Sequence, residues 1–371
     1  MKENNMKIGF DIRPLQESKK SGVGEYVYEL LTALFKIDTQ NEYFLFSNAK
    51  NLKKIDLPAQ GNAKVIHKHF NLSNKSLNFQ LKFLNSPKID QMLKEKLDVM
   101  IFPNINFYSL SPGIKKILVV HDLSYEIFPE FYSAKSRLWH KIINAKKFCQ
   151  NADQIIAVSK NTKKDVQNIF KINDNKIKVI YPGISDRFKS GSGDIKEKYQ
   201  LPEKFILYLG TIEPRKNLIG LISSFEKIKE NIPHHLVIAG AKGYQADKIL
   251  NHLSERMHYI DYVEDSDKLA LYKSADIFAF PSFYEGFGFP PLEALASGTP
   301  VVASHTGSLG EVLEGAALLV NPYKDSEIAQ AIKNFATNSE LRNQLMEKKE
   351  KILQKYSWEE NARQFLEFMQ N

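Results

Sequence analysis

The feature that most constrains the fold is an alternation of short apolar runs and amphipathic stretches that restarts once. The first series of apolar runs covers residues 7–10, 43–46, 99–102, 117–120, 154–158 and 178–180. The second covers 205–209, 236–239, 277–280 and 301–303. Between them lie stretches such as 26–35 and 328–335, with apolar residues at helical spacing. Several runs have no polar face, as expected of strands covered on both sides in a parallel sheet. Repeated strand–helix alternation predicts an α/β chain with helices on both faces of a parallel sheet. The polar segment 183–199, which contains Ser190-Gly191-Ser192-Gly193, interrupts the pattern just before it restarts. With 371 residues the chain has room for two domains, divided into 1–183 and 184–355.

Composition narrows the function classes. Hydrophobic residues make up 43% and charged residues 25%, an ordinary soluble balance. No apolar run reaches the length of a membrane span, and the first ten residues do not read as a secretion signal. The single cysteine, Cys149, rules out an internal disulfide framework and suits a cytoplasmic location. CxxC and HExxH are both missing, so no metal site is expected. The net charge is +8. Residues 135–178 hold eleven Lys and Arg against three Asp, an excess equal to that of the whole chain. Such a stretch is a solvated helical face, a surface for anionic membrane, or a nucleic-acid contact. Nucleic acid is the weakest of the three.

Open α/β sheets bind ligands beyond the carboxyl ends of their strands, so the residues after each apolar run carry the chemistry. After 205–209 comes Gly210-Thr211-Ile212-Glu213-Pro214-Arg215-Lys216-Asn217. A glycine turn followed by two cations at a helix entrance suits a diphosphate, although a solvated basic turn would look the same. After 277–280 comes the segment from Pro281 to Pro300. Pro290 and Pro291 fit the first turn of a helix and Gly298 its end. Glu285 then lies in a glycine-rich loop and Glu293 on the helix. Both can accept hydrogen bonds from sugar hydroxyls, or serve as a loop acid and a dipole partner. His121-Asp122 follows 117–120, where a structural histidine and a site histidine are alternatives.

Taken together, these segments resemble the retaining glycosyltransferases of family 4 (group 1), and among them mannosyltransferases. Glu285 to Glu293 looks like that family's E-x7-E motif, and Gly210 to Asn217 resembles its phosphate turn. Asp11-Ile12-Arg13-Pro14 with Ser21-Gly22-Val23-Gly24-Glu25-Tyr26 resembles its amino-terminal glycine loop. Val158 to Asp165 and Tyr181-Pro182-Gly183 are similar to further signatures. The resemblance covers nearly the whole chain in family order and implies the GT-B fold: two Rossmann-like doubly wound domains facing a central cleft. It makes 1–183 an acceptor domain, completed by a carboxyl-terminal helix at 356–371, and 184–355 the nucleotide-sugar donor domain.

The resemblance also implies roles. Glu285 would contact the donor sugar, and the backbone of Phe287, Gly288 and Phe289 would hold the sugar and distal phosphate. Glu293 would bind the ribose, and the backbone of Val263 would meet the base. Arg215 and Lys216 would stabilise the diphosphate, with Gly210 forming the turn. Gly22 and Gly24 would let the first loop approach phosphates or acceptor. His121 would lie near the reacting centre, and His121 and Asp122 near the acceptor. Many members carry arginine directly after the glycine of the phosphate turn; here that place is Thr211. The expected activity is metal-independent, retaining hexosyl transfer from a nucleotide diphosphate sugar, with GDP-mannose favoured and UDP-sugars as the alternative. No cofactor is expected. The acceptor would be a glycan or a lipid-linked glycan, placing a cytoplasmic enzyme peripherally on the inner membrane face. A nucleotide-sugar 2-epimerase of the same fold is the competing enzyme. A nicotinamide dehydrogenase is disfavoured because no GxGxxG follows residues 7–10.

Overall fold

A computed structural model describes residues 5–16, 21–50, 55–188 and 195–370. Residues 190–193, within the segment 183–199 read above as the interruption, lie outside them. Two parallel sheets form. The first holds β1 (Lys7–Asp11), β2 (Glu42–Asn48), β3 (Lys64–Phe70), β4 (Val99–Phe102), β5 (Lys115–Val120), β6 (Gln154–Ala157) and β7 (Ile177–Val179), in the order β3-β2-β1-β4-β5-β6-β7. The second holds β8 (Phe205–Leu209), β9 (His235–Ala239), β10 (Met257–Tyr259), β11 (Ile277–Phe280), β12 (Val301–Ser304) and β13 (Leu318–Val320), in the order β10-β9-β8-β11-β12-β13.

Both sheets follow the same path. The chain enters at an inner strand, builds outward through two strands, then returns beside the first and builds the other way. This is the doubly wound order, and its direction reverses between β1 and β4 and between β8 and β11. The central strands are buried on both faces: every residue of β4, β8, β11 and β12 is buried, which is why they read as uninterrupted apolar runs. Each of the ten apolar runs of the sequence is a strand here. The three strands it did not reveal, β3, β10 and β13, are all sheet edges. Half-exposed edge strands need only partial apolar character, as Lys64-Val65-Ile66-His67-Lys68-His69-Phe70 shows.

The chain gathers into two compact units: Met1–Leu123 with Lys135–Gly183 and Ser357–Asn371, and Ser124–Ala134 with Ile184–Tyr356. The helix Trp358–Gln370 packs on Gly22–Ile37 within the first unit. Its entry explains the Tyr181-Pro182-Gly183 signature. A Cβ on Gly183 would lie 2.2 Å from the Trp358 backbone nitrogen, and Asn361 Nδ2 donates to the Tyr181 carbonyl at 2.7 Å. Residues 124–134, which the sequence division placed in the first half, gather with the second unit. Their anchors are aromatic: Phe131 stacks on Phe283 at 5.3 Å and Phe128 lies 6.0 Å from Tyr284.

The basic segment forms the helices Ala134–Ile143, Ala145–Asn151 and Lys160–Phe170. Asn144, at φ +56°, separates the first two. Ile143 is buried at 5% exposure, whereas Leu138, Trp139 and Ile142 remain 59, 42 and 40% exposed. Cys149 is a buried free thiol, and burial pushes its pKa up to about 12, so it stays protonated and unreactive.

Candidate active site

In the second unit, the two loops singled out from sequence follow β8 and β11, the strands that flank the reversal of winding. The first leaves β8 through Gly210, whose N–H donates to the Ala239 carbonyl at 3.0 Å. It then turns through the single 3-10 turn Pro214–Lys216 into the helix Leu218–Ile228. Asn217, at φ +57°, joins the two loops. Its side-chain amide donates to the Pro281 carbonyl at 3.1 Å and the Pro322 carbonyl at 2.7 Å. Phe283 N–H donates to the Arg215 carbonyl at 2.9 Å.

This stitching brings Arg215 and Lys216 onto Glu285. Lys216 Nζ donates to Glu285 Oε1 at 2.6 Å, and Arg215 NH1 to Oε2 at 3.0 Å. The same NH1 reaches the Tyr284 carbonyl at 2.7 Å, and Arg215 NH2 reaches Glu213 at 2.8 Å. The side chains of Arg215, Lys216 and Glu285 are only 13, 11 and 10% exposed. Burial alone would raise the Glu285 pKa. The two cations outweigh it and hold the group at about 2, below its ordinary 4.5, so Glu285 is ionised at neutral pH and can only accept hydrogen bonds.

The geometry separates the two cations. The Arg215 fork is committed to Glu213, the Tyr284 carbonyl and Glu285, so it holds the Glu285 loop in place. The Lys216 ammonium has three donors, of which Glu285 takes one. It also lies 5.2 Å above the Phe280 ring. Thr211, at the position where relatives by resemblance carry arginine, contributes its carbonyl to Tyr208 OH at 3.2 Å.

Glu293 sits on the helix Phe289–Ala296, which opens with the proline pair read from sequence. Gly288 precedes it at φ +96°, and a Cβ there would lie 2.3 Å from Leu309 Cδ2, so only glycine fits. Phe287 is buried, and its ring meets that of Phe289 at 5.1 Å. Glu293 is buried at 3% exposure and accepts from Tyr272 OH at 2.8 Å. Val263 lies buried in the loop after β10.

The structure adds residues the sequence reading passed over. Tyr272, on the helix Lys268–Ser274, carried no signal beyond apolar periodicity. Ser308 N–H and Oγ both donate to the Glu285 carbonyl, at 3.1 and 3.0 Å. Gly307, at φ +61°, passes so close that a Cβ would sit 2.8 Å from the same oxygen. The Thr306-Gly307-Ser308 turn after β12 was the visible clue.

In the first unit, His121 follows β5. Its ring nitrogen Nε2 lies 2.7 Å from the Pro103 carbonyl, which can only accept, so Nε2 carries the proton. Burial lowers the His121 pKa, leaving a neutral ring with Nδ1 as an acceptor. The ring edge packs on Tyr26 at 4.8 Å, and Tyr26 on Trp358 at 5.4 Å. Ser159 caps the helix Lys160–Phe170 and donates to Thr162 Oγ1 at 3.0 Å; Thr162 in turn donates to the His121 carbonyl at 3.1 Å. The Val158–Asp165 signature is therefore a support for His121. Asp122 is half-buried beside it. Gly22 and Gly24 lie in the first turn of Gly22–Ile37, capped by Ser21. A Cβ on Gly24 would lie 3.1 Å from the Pro14 carbonyl, while one on Gly22 would meet nothing within 4 Å. Among the described residues, no group of three or more His, Cys, Asp and Glu is placed to hold a metal ion.

Residues 20–188 match the family model described as Glycosyltransferase Family 4, and 193–352 match that described as Glycosyl transferases group 1. The chain belongs to the family 4 (group 1) glycosyltransferases. It is 29% identical over 334 residues to the O-antigen chain mannosyltransferase B of Escherichia coli, covering 85% of this chain and 87% of that one. It is 27% identical over 263 residues to the serotype-specific mannosyltransferase WbdA of Escherichia coli, where it spans 67% of its own length and 32% of the relative's. The sucrose-phosphate synthase of Thermosynechococcus elongatus shares the fold, with a TM-score of 0.76 at 19% identity over 99% of this chain and 98% of that one. This glycosyltransferase thus has the GT-B architecture of two Rossmann-like parallel-sheet domains. Among its described residues, no helix is long and apolar enough to cross a membrane.

Proposed function

We propose that this glycosyltransferase transfers mannose from GDP-mannose to a glycan or lipid-linked glycan acceptor, with retention at the anomeric carbon and without a metal. The observation that carries the reading is the buried Lys216–Glu285–Arg215 cluster beyond β8 and β11, where the fold family binds ligands. The mannosyltransferase names of the relatives support the sugar.

In this reading the second unit is the donor domain and the first the acceptor domain. The bond between the anomeric carbon and a phosphate oxygen breaks, and one to an acceptor oxygen forms. The acceptor's proton passes to the leaving diphosphate on the same face. The developing negative charge on the diphosphate is the main demand. Lys216 meets it as a point charge, helped by the helix entrance at Phe289. Arg215 holds Glu285, whose ionised carboxylate accepts from sugar hydroxyls. Glu293, oriented by Tyr272, accepts from the ribose, and the backbone near Val263 meets the base. Gly22 and Gly24 leave the first helix entrance uncrowded. His121, as the neutral ring, faces the reacting sugar, and His121 and Asp122 lie near the acceptor. Work at the inner membrane face belongs to the same reading.

The test is slow donor hydrolysis followed by NMR. GDP-mannose should release α-mannose before mutarotation, in EDTA as well as without it. Release of β-mannose overturns retention, and loss of activity in EDTA with recovery in Mn²⁺ overturns metal independence.

A further inference from the structure

The first unit carries a second feature, at the opposite end of its sheet from His121. An open pocket of about 720 Å³ is lined by Lys82, Lys88, Lys116 and Lys147 together with Phe107 and Phe148. No Asp or Glu is among its lining residues. Lys116 is the second residue of β5 and His121 follows its end, so the two lie about 16 Å apart along the strand at the usual rise per residue. The pocket is therefore separate from the candidate active site. Of its four lysines, Lys116 meets Asp153 at 3.0 Å and Lys82 donates to the Ile142 carbonyl.

Beside this pocket the surface is unusually apolar. Six of the ten large hydrophobic side chains exposed among the described residues sit on two neighbouring segments. Phe79, Phe83 and Leu84 lie on 74–84, at 57, 65 and 63% exposure, and Leu138, Trp139 and Ile142 lie on the helix Ala134–Ile143. The segments touch through Lys82, whose Nζ donates to the Ile142 carbonyl and lies 5.3 Å over the Phe107 ring. Phe107 also meets Trp139 edge-on at 5.5 Å. Exposed Lys75, Lys135, Arg137 and Lys141 lie on the same two segments, and exposed Lys146 on the next helix.

A cationic pocket next to an exposed aromatic and aliphatic ridge matches an amphiphile with an anionic head and an apolar body. A soluble anion would leave the ridge unexplained, and a neutral partner would leave the lysines unexplained. We propose that this face of the first unit docks on a bilayer of anionic phospholipid. The ridge enters the interface, and Lys82, Lys88 and Lys147 take a phosphate headgroup. The proposal rests on the membrane-face reading above and names the surface that performs it.

Flotation of the full chain with vesicles tests it. Vesicles of phosphatidylcholine are compared with vesicles containing about a third phosphatidylglycerol, the high charge chosen to bring out the electrostatic attraction. The protein should float with the second only, and less as salt rises. Lys88→Glu with Lys147→Glu should cut partitioning at least tenfold. Phe83→Ser with Leu84→Ser should keep binding at low salt and lose it at physiological salt. Both variants should keep the wild-type Tm and the wild-type thermal shift with GDP-mannose, which reads the donor assignment separately and confirms folding. Equal flotation with both vesicles, or unchanged flotation of both folded variants, overturns the proposal. So does a Tm rise with inorganic pyrophosphate, abolished by the lysine pair, in a protein that floats with neither vesicle; the pocket would then hold a free anion.

Discussion

At the scale of single residues, Lys216 and Arg215 both pair with Glu285 before any donor arrives, leaving the trio one positive charge in excess. Lys216→Ala removes the point charge assigned to the diphosphate and should lower kcat/KM by about 10²-fold or more; near-normal steady-state kinetics would remove that role. Arg215 also pairs with Glu285, which gives a second signature. Glu285 has its pKa depressed to about 2, so its ionised form stabilises the fold fully above pH 4.5. That stabilisation, about 3 kcal/mol, is lost as pH falls towards 2. In Arg215→Gln the burial penalty meets one cation fewer, the Glu285 pKa rises, and the acid limb of the kcat/KM profile should move to higher pH. A profile superimposable on wild type would show that Arg215 does not hold Glu285. The glutamates and the two cations were legible in the sequence because motif spacing and loop glycines mark them. Their mutual ion pairs were not, because they are made between loops about seventy positions apart, through Asn217 and Phe283.

At the scale of elements, the β/α alternation disclosed the buried strands and left out the edge strands β3, β10 and β13, whose partial exposure weakens the apolar pattern. Residues 124–134 gather with the second unit through Phe131 stacked on Phe283 and Phe128 tilted against Tyr284, contacts that depend on tertiary position and leave no sequence pattern. The helix Trp358–Gln370 was legible as a helix from the spacing of Trp358, Ala362, Phe365, Leu366 and Met369, of which all but Leu366 are buried. Its structural part is wider: Trp358 backs Tyr26, which backs His121. Trp358→Ala should destabilise the first unit by about 3–5 kcal/mol, the usual cost of truncating a buried aromatic. It should also reduce kcat in the fraction that remains folded at low temperature. A loss of stability with unchanged kcat would confine Trp358 to packing.

At the scale of the whole molecule, two sheets wound in the same order place the loops of Arg215, Glu285 and His121 at carboxyl ends beside or near a reversal of winding, and the family assignment follows from both halves. The chemical identity of the donor is the central claim, and a nucleotide-sugar panel read by thermal shift and nucleotide release tests it most directly. A saturating ligand at a hundred times its Kd stabilises by about 2.7 kcal/mol, a shift readily seen. GDP-mannose should raise the Tm and release GDP, and Lys216→Ala should lose the release. Release of UDP from a UDP-sugar with GDP-mannose left intact would contradict the account.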